Sequence, residues 1–346
     1  MKDTIFVKPG QVVIEDVDMP TIQAADDVII RVIRACVCGS DLWGYRGQDQ
    51  MTSHSQNTGH EAIGIVEQVG DAITTLVSGD FVIAPFTHGC GHCAACRAGF
   101  EGGCLNHEDN FSTGSQAQYM RYQHGEWSLI KIPGKPENYS EEMLKSLLTL
   151  SDVMATGYHA ARVANVKSGD TVVVVGDGAV GLCGIISAKM RGAKRIIAMS
   201  RHEDRQKLAR EFGATDIVAE RGDDGVAKVM SLTNGEGADA VLECVGTEQS
   251  VDTAVKSGRP GATVGRVGVP HNPEMDLTPM FFRNTMIAGG PASVTTYDKQ
   301  ILLDAVLKGE IQPGKVFTRS FKLDDINAAY QAMDKRETIK SYVIVN

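Results

Sequence analysis

The sequence lacks the features that mark several classes of protein. Its 346 residues carry a net charge of -9 at pH 7, whereas a nucleic-acid-binding protein needs clustered lysine and arginine to neutralise phosphates. No apolar run approaches the roughly 20 residues that span a bilayer, and the start has no charged and then apolar signal segment. We therefore expect a cytoplasmic protein that binds neither nucleic acid nor membrane, and the length predicts two domains.

Cysteine is sparse except in one short stretch. Four of the eight cysteines follow the spacing C-x2-C-x2-C-x7-C, which indicates metal ligands in a reducing compartment rather than a disulfide framework. Four thiolates on one loop can close a tetrahedron around a structural zinc and leave no position for substrate. The alternatives are unligated or disulfide-paired cysteines, or an iron–sulfur cluster. The predicted ligands, in a lobe of about residues 88–106, are Cys90, Cys93, Cys96 and Cys104.

The first third of the chain has the alternation of β-branched and polar residues that is typical of strands. Examples are the runs at residues 28–33, 63–66 and 81–84, which are separated by turn residues. Glycines stand where strands would bend. The pattern predicts a β-rich, barrel-like domain.

The second half of the chain changes to alternating helices and strands. A helix is predicted from Ser140 to Ala164, followed by a buried parallel strand at residues 171–175. That strand ends in a G-x-G-x-x-G sequence that passes into a helix through Met190, which is the context of a dinucleotide-binding fingerprint. An ordinary strand-to-helix turn is the alternative. The predicted cofactor-binding residues of this loop are Gly176, Gly178, Val180 and Gly181.

The end of the next strand, residues 195–199, bears on the choice of cofactor. Enzymes that use NAD place an acid there to bond the ribose 2′-hydroxyl. Here the strand is followed by Ser200 and Arg201, a hydroxyl and a guanidinium that suit the 2′-phosphate of NADP. The alternative is that Glu203 or Asp204 holds the ribose and that Arg201 is a solvated surface charge.

Further strands are predicted at residues 238–244 and 262–268. The second run ends in Val267 and Gly268, where the backbone could approach the nicotinamide half of the cofactor. Helices are expected near residues 299–308 and 324–334, with a closing strand at 341–345 that returns to the first domain.

Two short motifs carry residue types that bind zinc. Cys38-Gly39-Ser40-Asp41 is followed about twenty residues later by Gly59-His60-Glu61. A catalytic zinc takes three protein ligands and keeps one position open, so a third ligand must come from elsewhere. Asp41 can orient a ligand imidazole, and Ser40 can carry a proton.

In combination and in order, these motifs resemble the zinc-dependent medium-chain dehydrogenase/reductases, the alcohol dehydrogenase family, along essentially the whole chain. The resemblance implies an α/β protein with a GroES-like β-rich catalytic domain at residues 1–153 and 291–346. A Rossmann domain with a doubly wound parallel sheet is expected at residues 154–290, with the active site in the cleft between the two domains.

The resemblance also implies the missing zinc ligand. In the bacterial secondary-alcohol branch the segment that resembles residues 151–157 places an aspartate on the zinc, which corresponds to Asp152 here. The catalytic site would then be Cys38, His60 and Asp152, with Glu61 able to enter the metal shell. Thr156 would lie near the nicotinamide and Ser40 on the substrate oxygen. Two zinc ions per chain and NADP(H) are the implied cofactors.

The implied activity is hydride transfer between NADP(H) and a secondary alcohol or ketone, or an aldehyde. An NAD-dependent polyol, sugar or amino-alcohol dehydrogenase of the same family is the first alternative. A non-catalytic zinc- and nucleotide-binding protein is the second. The expected partner is a small molecule, and relatives are usually homodimers or homotetramers.

One departure affects the proton path. The family often has a histidine near the position of Trp43, and an indole cannot relay a proton. The proton is therefore expected to leave through water, Tyr45 or His54, or directly to solvent. Phe86 and Phe111, together with Trp43, favour a small or aryl-alkyl ketone.

Overall fold

The computed structural model describes residues 1–48, 58–106, 110–270, 276–292 and 298–346. The chain divides into two compact units. The first unit comprises Met1–Asp152 and Ser293–Asn346, and the second is Val153–Ala292. These limits fall one or two residues from the predicted domain boundaries, and the roles assigned to the two units stay predictions.

The first segment of the first unit is rich in β-strands, as its alternating sequence predicts. Its strands are β1 (Lys2–Lys8), β2 (Gln11–Asp16), β3 (Val28–Val37), β4 (Ala62–Val69), β5 (Phe81–Ala84), β6 (Tyr119–Tyr122) and β7 (Ile130–Ile132). Its helices are α1 (Asp41–Tyr45), α2 (Ala94–Arg97), α3 (Gly125–Ser128) and α4 (Glu141–Leu148), with 3-10 turns at Glu101–Gly103, Pro136–Asn138 and Thr149–Ser151.

The second unit alternates helices and strands. Its helices are α5 (Val153–Val163), α6 (Ala179–Met190), α7 (Glu203–Phe212), α8 (Gly222–Leu232), α9 (Glu248–Ser257) and α10 (Thr278–Arg283). Its strands are β8 (Thr171–Val175), β9 (Arg195–Met199), β10 (Asp216–Val218), β11 (Ala238–Glu243), β12 (Gly258–Arg266) and β13 (Met286–Gly289).

These six strands form one parallel sheet in the order β10-β9-β8-β11-β12-β13. Residues 172–174 of the central strand β8 are fully buried, which explains their continuous apolar run. The order places β8 beside the point where the winding reverses, and ligands of such sheets bind at the carboxyl ends of the strands there. The predicted doubly wound parallel sheet is confirmed.

The last segment of the chain returns to the first unit. It contains α11 (Lys299–Leu307), α12 (Ile326–Asp334), β14 (Phe317–Lys322) and β15 (Lys340–Ile344), with 3-10 turns at Pro313–Val316 and Leu323–Asp325. β15 pairs with β3, which completes a seven-stranded sheet in the order β14-β15-β3-β4-β5-β7, with β6 also paired to β3. No helix among the described residues is long and apolar enough to cross a membrane.

The single helix predicted from Ser140 to Ala164 is wrong. α4 ends at Leu148, a 3-10 turn follows, and Asp152 has the non-helical angles φ -153° and ψ -80° before α5 begins. In this stretch the Ser151 hydroxyl donates to the carbonyl of Leu148 at 2.6 Å. Such side-chain bonds to nearby backbone compete with regular helix. The break turns Asp152 out of the helical repeat.

Candidate active site and metal centres

Three separate parts of the first unit bring potential metal ligands together. Cys38 directly follows β3, and His60 and Glu61 directly precede β4. The two strands are antiparallel with Ala35 opposite Ala62, so the end of β3 lies beside the start of β4. Asp152 is delivered by the break between α4 and α5. One ligand atom from each of the four residues lies within 4.8 Å of the others.

The distances within this cluster are short. Cys38 Sγ lies 3.5 Å from Asp152 Oδ2, and His60 Nε2 lies 3.5 Å from the same oxygen. His60 Nε2 is also 3.9 Å from Glu61 Oε1. Thiolate, imidazole and carboxylate are the donor groups that zinc takes in proteins, and here three separate parts of the chain supply them.

Asp41 supports the cluster from behind. Its Oδ1 lies 3.5 Å from His60 Nδ1, and its Oδ2 accepts the backbone N–H of Cys38 at 2.8 Å. Gln116 Nε2 donates to the same Oδ2 at 3.1 Å, and the Tyr330 hydroxyl donates to Gln116 Oε1 at 2.8 Å. Asp41 therefore holds the imidazole so that Nε2 faces the other ligand atoms. Sequence reasoning missed Gln116 and Tyr330, which lie far along the chain.

Sequence reasoning also missed Lys340, the first residue of β15. Its Nζ donates to Glu61 Oε1 at 2.6 Å and to the carbonyl of Val37 at 3.3 Å. Both side chains of the ion pair are only 1% exposed. A lysine is rarely buried without a partner, so a lysine shortly before the apolar run of residues 342–344 was the available signal.

Burial and mutual charge shift the titration of the cluster. Burial is the largest cause that raises the pKa of the Cys38 thiol, and it also raises the pKa of Glu61 against the effect of Lys340. Burial opposes protonation of His60, but the carboxylates of Asp41 and Asp152 outweigh it and raise the His60 pKa well above its usual value. The cluster thus concentrates groups that are costly as anions and that gain from a nearby cation. These donors fit a zinc ion.

The predicted proton carriers are placed differently from one another. Ser40 is half-buried at the start of α1, and its side chain makes no capping hydrogen bond. The Tyr45 hydroxyl donates to the carbonyl of Gly10 at 2.8 Å, and the residue is buried. That bond turns Tyr45 into a core contact rather than a free proton carrier. Trp43 is half-buried, and His54 lies outside the described residues.

Aromatic rings line one side of the cluster. The Phe86 ring lies edge-on to the His60 ring with 6.0 Å between centroids. Phe111 is 42% exposed, and its ring lies 6.2 Å from that of Phe86. An apolar wall beside the candidate metal ligands suits the carbon skeleton of a small organic substrate.

The second candidate metal centre gathers the four clustered cysteines. Their sulfur atoms all lie within 4.8 Å of one another, and none of them is in a disulfide. Backbone N–H groups of Cys93, Cys96 and Cys90 donate to the sulfurs of Cys90, Cys93 and Cys104, each at 3.4 Å. N–H donors stabilise thiolates, and four thiolates fit a structural zinc.

Cys93 shows this effect most clearly. N–H donors from Cys96 and Leu105 lower the pKa of its thiol to about 6. In contrast, burial raises the pKa of Cys96. His92 lies within the loop, and its Nδ1 is 2.8 Å from the carbonyl of Cys90.

The glycine-rich loop of the second unit connects β8 to α6. Gly176 has a φ of 117°, and a Cβ on Gly181 would lie 2.0 Å from the Gly176 carbonyl oxygen. A Cβ on Gly178 would meet no atom within 4 Å. The first and last glycines are thus required for the turn, whereas Gly178 leaves open space at the N-terminus of α6. Val180 is half-buried in the first turn of that helix. Such a loop fits the pyrophosphate of a dinucleotide.

Ser200 and Arg201 follow β9, but they differ in their surroundings. Ser200 is buried, and its hydroxyl donates to Asp177 Oδ2 at 2.9 Å. Arg205 also donates to Asp177, at 3.1 Å to Oδ1. Arg201 is exposed, as are Glu203 and Asp204 in the first turn of α7. Sequence reasoning missed Asp177 and Arg205.

The remaining predicted cofactor residues lie in the same unit. Val267 and Gly268 donate their N–H groups to the carbonyl of Glu243 at 2.9 and 3.2 Å, which fixes the loop after β12. A Cβ on Gly268 would lie 2.2 Å from the nitrogen of Gly246. Thr156 is buried on α5, one turn after Asp152.

Sequence comparison finds two family matches. The alcohol dehydrogenase GroES-like domain matches residues 24–134, and the zinc-binding dehydrogenase domain matches residues 179–304. A zinc-type alcohol dehydrogenase B from Aspergillus flavus is 33% identical over 97% of this chain and 78% of its own length. An NADP-dependent isopropanol dehydrogenase from Clostridium beijerinckii is 30% identical over 92% of this chain and 93% of its own length.

Comparison of structures gives a similar result. The alcohol dehydrogenase TADH from Thermus sp. ATN1 superimposes with a TM-score of 0.90 and 31% sequence identity, and the match covers all of both chains. The zinc-dependent alcohol dehydrogenase 2 from Streptococcus pneumonia also gives a TM-score of 0.90, with 30% identity over 100% of this chain and 99% of that one.

Proposed function

Because the chain belongs to the zinc-dependent medium-chain dehydrogenases of the alcohol dehydrogenase family, we propose that it transfers hydride between NADP(H) and a secondary alcohol or ketone, or an aldehyde. Membership of this family, which the motifs resembled, is confirmed, and so are the GroES-like and Rossmann-like folds that the resemblance implied. The choice of NADP, the substrate class and the roles of individual residues are the proposal.

One observation carries the assignment of a catalytic metal site. Cys38, His60, Glu61 and Asp152 come from distant parts of the chain, yet their ligand atoms lie within 4.8 Å of one another. Asp41 and Lys340 each hold one member of the set in place. A protein that only bound nucleotide would have no use for this convergence.

The proposed chemistry divides between the bound groups and the chain. When bound, zinc supplies a Lewis acid for the substrate oxygen, and the nicotinamide supplies or accepts the hydride. We assign Cys38, His60 and Asp152 as metal ligands. Glu61 is an additional carboxylate that Lys340 restrains, and Asp41 fixes the imidazole.

Ser40 is assigned as the group that exchanges the hydroxyl proton of the substrate. Its hydroxyl caps no helix and lies two residues from Cys38, so it can rotate between a substrate oxygen and water. Trp43 cannot relay a proton, and the Tyr45 hydroxyl is committed to the carbonyl of Gly10. We therefore propose that the proton leaves Ser40 through water.

The aromatic wall supports the substrate class. Phe86 and Phe111 offer a surface without hydrogen-bonding groups beside His60, and such a surface favours small or aryl-alkyl ketones over polyhydroxylated sugars. The relative from Clostridium beijerinckii is named an NADP-dependent isopropanol dehydrogenase, which supports a secondary alcohol.

The cofactor-binding role is assigned to Val153–Ala292 and the catalytic role to the other unit. Ser200 and Arg201 support NADP, since they stand where NAD enzymes carry an acid. Thr156, Val267 and Gly268 are assigned to the nicotinamide half. We also propose a cytoplasmic location and a homodimer or homotetramer, following the family.

An NAD-dependent polyol, sugar or amino-alcohol dehydrogenase is the second candidate function. The observation in its favour is the carboxylate of Asp177, which accepts the Ser200 hydroxyl at 2.9 Å. A carboxylate beside the end of β9 can accept a ribose 2′-hydroxyl, although Asp177 belongs to the glycine-rich loop rather than to the end of β9.

Initial rates test the proposal. The zinc-loaded protein is assayed with NADPH and NADH side by side over small ketones, aryl ketones, aldehydes and sugars. Turnover of ketones with a preference for NADPH supports the proposal in full. A preference for NADH, or turnover of sugars alone, supports the second candidate. Absence of turnover with either cofactor, in protein that retains zinc, contradicts both.

A further inference from the structure

The carboxylate of Asp177 lies beside Ser200 at the end of β9, where dinucleotide-binding proteins distinguish NAD from NADP. We call this site, formed by Asp177, Ser200 and Arg205, the corner. Asp177 is the second residue of the G-x-G-x-x-G loop. Its Oδ2 accepts the hydroxyl of Ser200 at 2.9 Å, and its Oδ1 accepts NH1 of Arg205 at 3.1 Å. Arg205 NH1 also lies 3.3 Å from the backbone oxygen of Asp177. The side chains of the ion pair are each 14% exposed, so the carboxylate is held by two donors with little competition from water.

The sheet explains why these residues meet. β8 and β9 are parallel neighbours with Val175 opposite Met199. Asp177 comes two residues after the end of β8, and Ser200 comes directly after the end of β9. The Ser200 carbonyl is fixed by Gln206 Nε2 at 2.8 Å. The ends of two neighbouring strands therefore position Asp177 and Ser200.

Asp177 engages two donors that a 2′-phosphate would need. Ser200 is one of the two residues proposed to bind that phosphate, and its hydroxyl proton points to Asp177. Arg205 carries a guanidinium at the same corner, but its positive charge is already paired with the carboxylate of Asp177. A phosphate that enters must share both donors with a carboxylate of the same sign, which costs binding energy.

The other charged side chains near Ser200 in the sequence do not offset the negative charge of Asp177. Arg201 forms no hydrogen bond or ion pair with any residue in the described part of the chain, and it is exposed. Glu203 and Asp204 follow it in the first turn of α7. Among Asp177 and residues 200–205, the three carboxylates of Asp177, Glu203 and Asp204 outnumber the two guanidinium groups of Arg201 and Arg205 by one.

We propose that Asp177 is a specificity-determining residue that limits the preference for NADP by holding Ser200 and Arg205 and by offering the ribose of NAD a hydrogen-bond acceptor. The protein then binds both nicotinamide dinucleotides with a modest difference in affinity. This inference rests on the proposed function, because it assumes that the loop binds a nicotinamide dinucleotide.

Adenosine fragments isolate the effect from the chemistry. Binding of 2′,5′-ADP and of 5′-AMP to the full zinc-loaded chain is measured by titration calorimetry at one fixed ionic strength. The Asp177→Asn variant keeps the size of the side chain and removes its charge. We expect 2′,5′-ADP to bind the variant about tenfold more tightly than the unmodified protein. The affinity for 5′-AMP is expected to stay equal or fall.

The matched control is Asp216→Asn. Asp216 pairs with Arg195 at 2.9 Å, at the opposite end of β9 from Ser200. This control removes an aspartate–arginine pair from the same sheet, and neither affinity should change. A double-mutant cycle with Arg205→Gln adds a second test. If Asp177 acts by withholding Arg205, most of the gain from Asp177→Asn disappears in the Arg205→Gln background.

The outcomes separate this inference from the proposed function. An unchanged ratio of the two affinities in Asp177→Asn, or an equal loss of both, overturns the inference, because Asp177 then only supports the loop. Tighter binding of 5′-AMP than of 2′,5′-ADP by the unmodified protein contradicts the NADP assignment. The shift on Asp177→Asn would still decide the role of Asp177. If that variant is poorly folded, as shown by its Tm, Asp177→Ser replaces it.

Discussion

The Nζ of Lys340 lies 2.6 Å from Oε1 of Glu61, and the two side chains form an ion pair that is sealed from solvent. Lys340 opens β15, whereas Glu61 directly precedes β4. The pair therefore connects the returning segment of the chain to the cluster of candidate metal ligands. Lys340 holds the same oxygen, Oε1, that lies 3.9 Å from His60 Nε2, while Glu61 Oε2 has no hydrogen-bond partner among the described residues.

Replacing Lys340 tests how strongly the fold depends on this pair. Loss of one partner from a buried ion pair leaves an uncompensated charge and typically costs about 3–5 kcal/mol. We expect Lys340→Met to lower the free energy of unfolding in urea by that amount. Arg319→Met, which breaks the exposed pair with Glu337, should cost only about 0–1 kcal/mol. Equal losses of unfolding free energy in the two variants would show that the buried pair stabilises the protein no more than the exposed pair.

Removing the carboxylate of Asp152 tests the assignment of the catalytic metal site. Asp152→Ala should remove one of the two zinc ions proposed per chain and keep the other, since the cysteine cluster is separate. The loss of kcat/KM should exceed the roughly 10–100-fold loss that is typical when a supporting residue is removed. Asp334→Asn, an exposed aspartate paired with Arg46, is the control. Retention of both zinc ions by Asp152→Ala would remove Asp152 from the ligand set.

The cysteine cluster predicts an order of reactivity in zinc-free protein. N–H donors lower the pKa of Cys93 to about 6, so at pH 7 this thiol is mostly thiolate, the reactive form. Burial raises the pKa of Cys96, which keeps it protonated. We expect iodoacetamide at pH 7 to modify Cys93 before Cys96, with the Cys93 rate falling below pH 6. Peptide mass spectrometry follows both sites in one sample. Faster modification of Cys96 would contradict the assigned hydrogen bonds.

Asp3 predicts a pH dependence of stability. It is 4% exposed, and burial raises its pKa to about 6 despite a hydrogen bond from Thr4. Between pH 4 and pH 6 the folded protein thus holds a proton that the unfolded chain has released. The free energy of unfolding therefore falls as the pH rises through this interval. Asp3→Asn should remove this fall and stabilise the protein at pH 7 by roughly 1 kcal/mol.

Asp27 is a control for Asp3, because its pKa is shifted in the opposite direction. Burial works against its ionisation, but hydrogen bonds from Arg121, Gln23 and Ala24 lower its pKa overall. Its contribution to stability is present above its unfolded pKa and is lost as the pH falls. Asp27→Asn should therefore destabilise the protein at pH 7. Denaturant curves from pH 4 to pH 8 compare the variants, and changes of the same sign would contradict the assigned environments.

Local patterns could be predicted from the sequence because their physical cause is local. The spacing of Cys90, Cys93, Cys96 and Cys104 requires a short loop to bring four sulfurs together, and the structure brings them together. The glycine-rich loop likewise follows a buried strand and precedes a helix, so consecutive residues are enough to predict the turn. The resulting parallel sheet is confirmed.

Contacts between distant segments could not be predicted in the same way. Asp152 was identified only by resemblance, because the sequence alone does not show that the Ser151 hydroxyl bonds the Leu148 carbonyl at a break that turns the Asp152 carboxylate to Cys38 and His60. Lys340 is 279 residues from Glu61, and no local pattern connects the two. The pairing of Asp177 with Ser200 and Arg205 depends on the register between β8 and β9, which periodicity alone does not give.

The return of β15 to the first sheet has a consequence for biosynthesis. A ribosome delivers Glu61 long before Lys340, and all of Val153–Ala292 is made between them. Domains generally fold during synthesis as they emerge, so a nascent chain presents the candidate metal ligands while Glu61 still lacks its cation and β3 still lacks its pairing with β15. Chains truncated before residue 340 would carry all four cluster residues and yet leave the Glu61 carboxylate without the cation that it contacts in the folded protein.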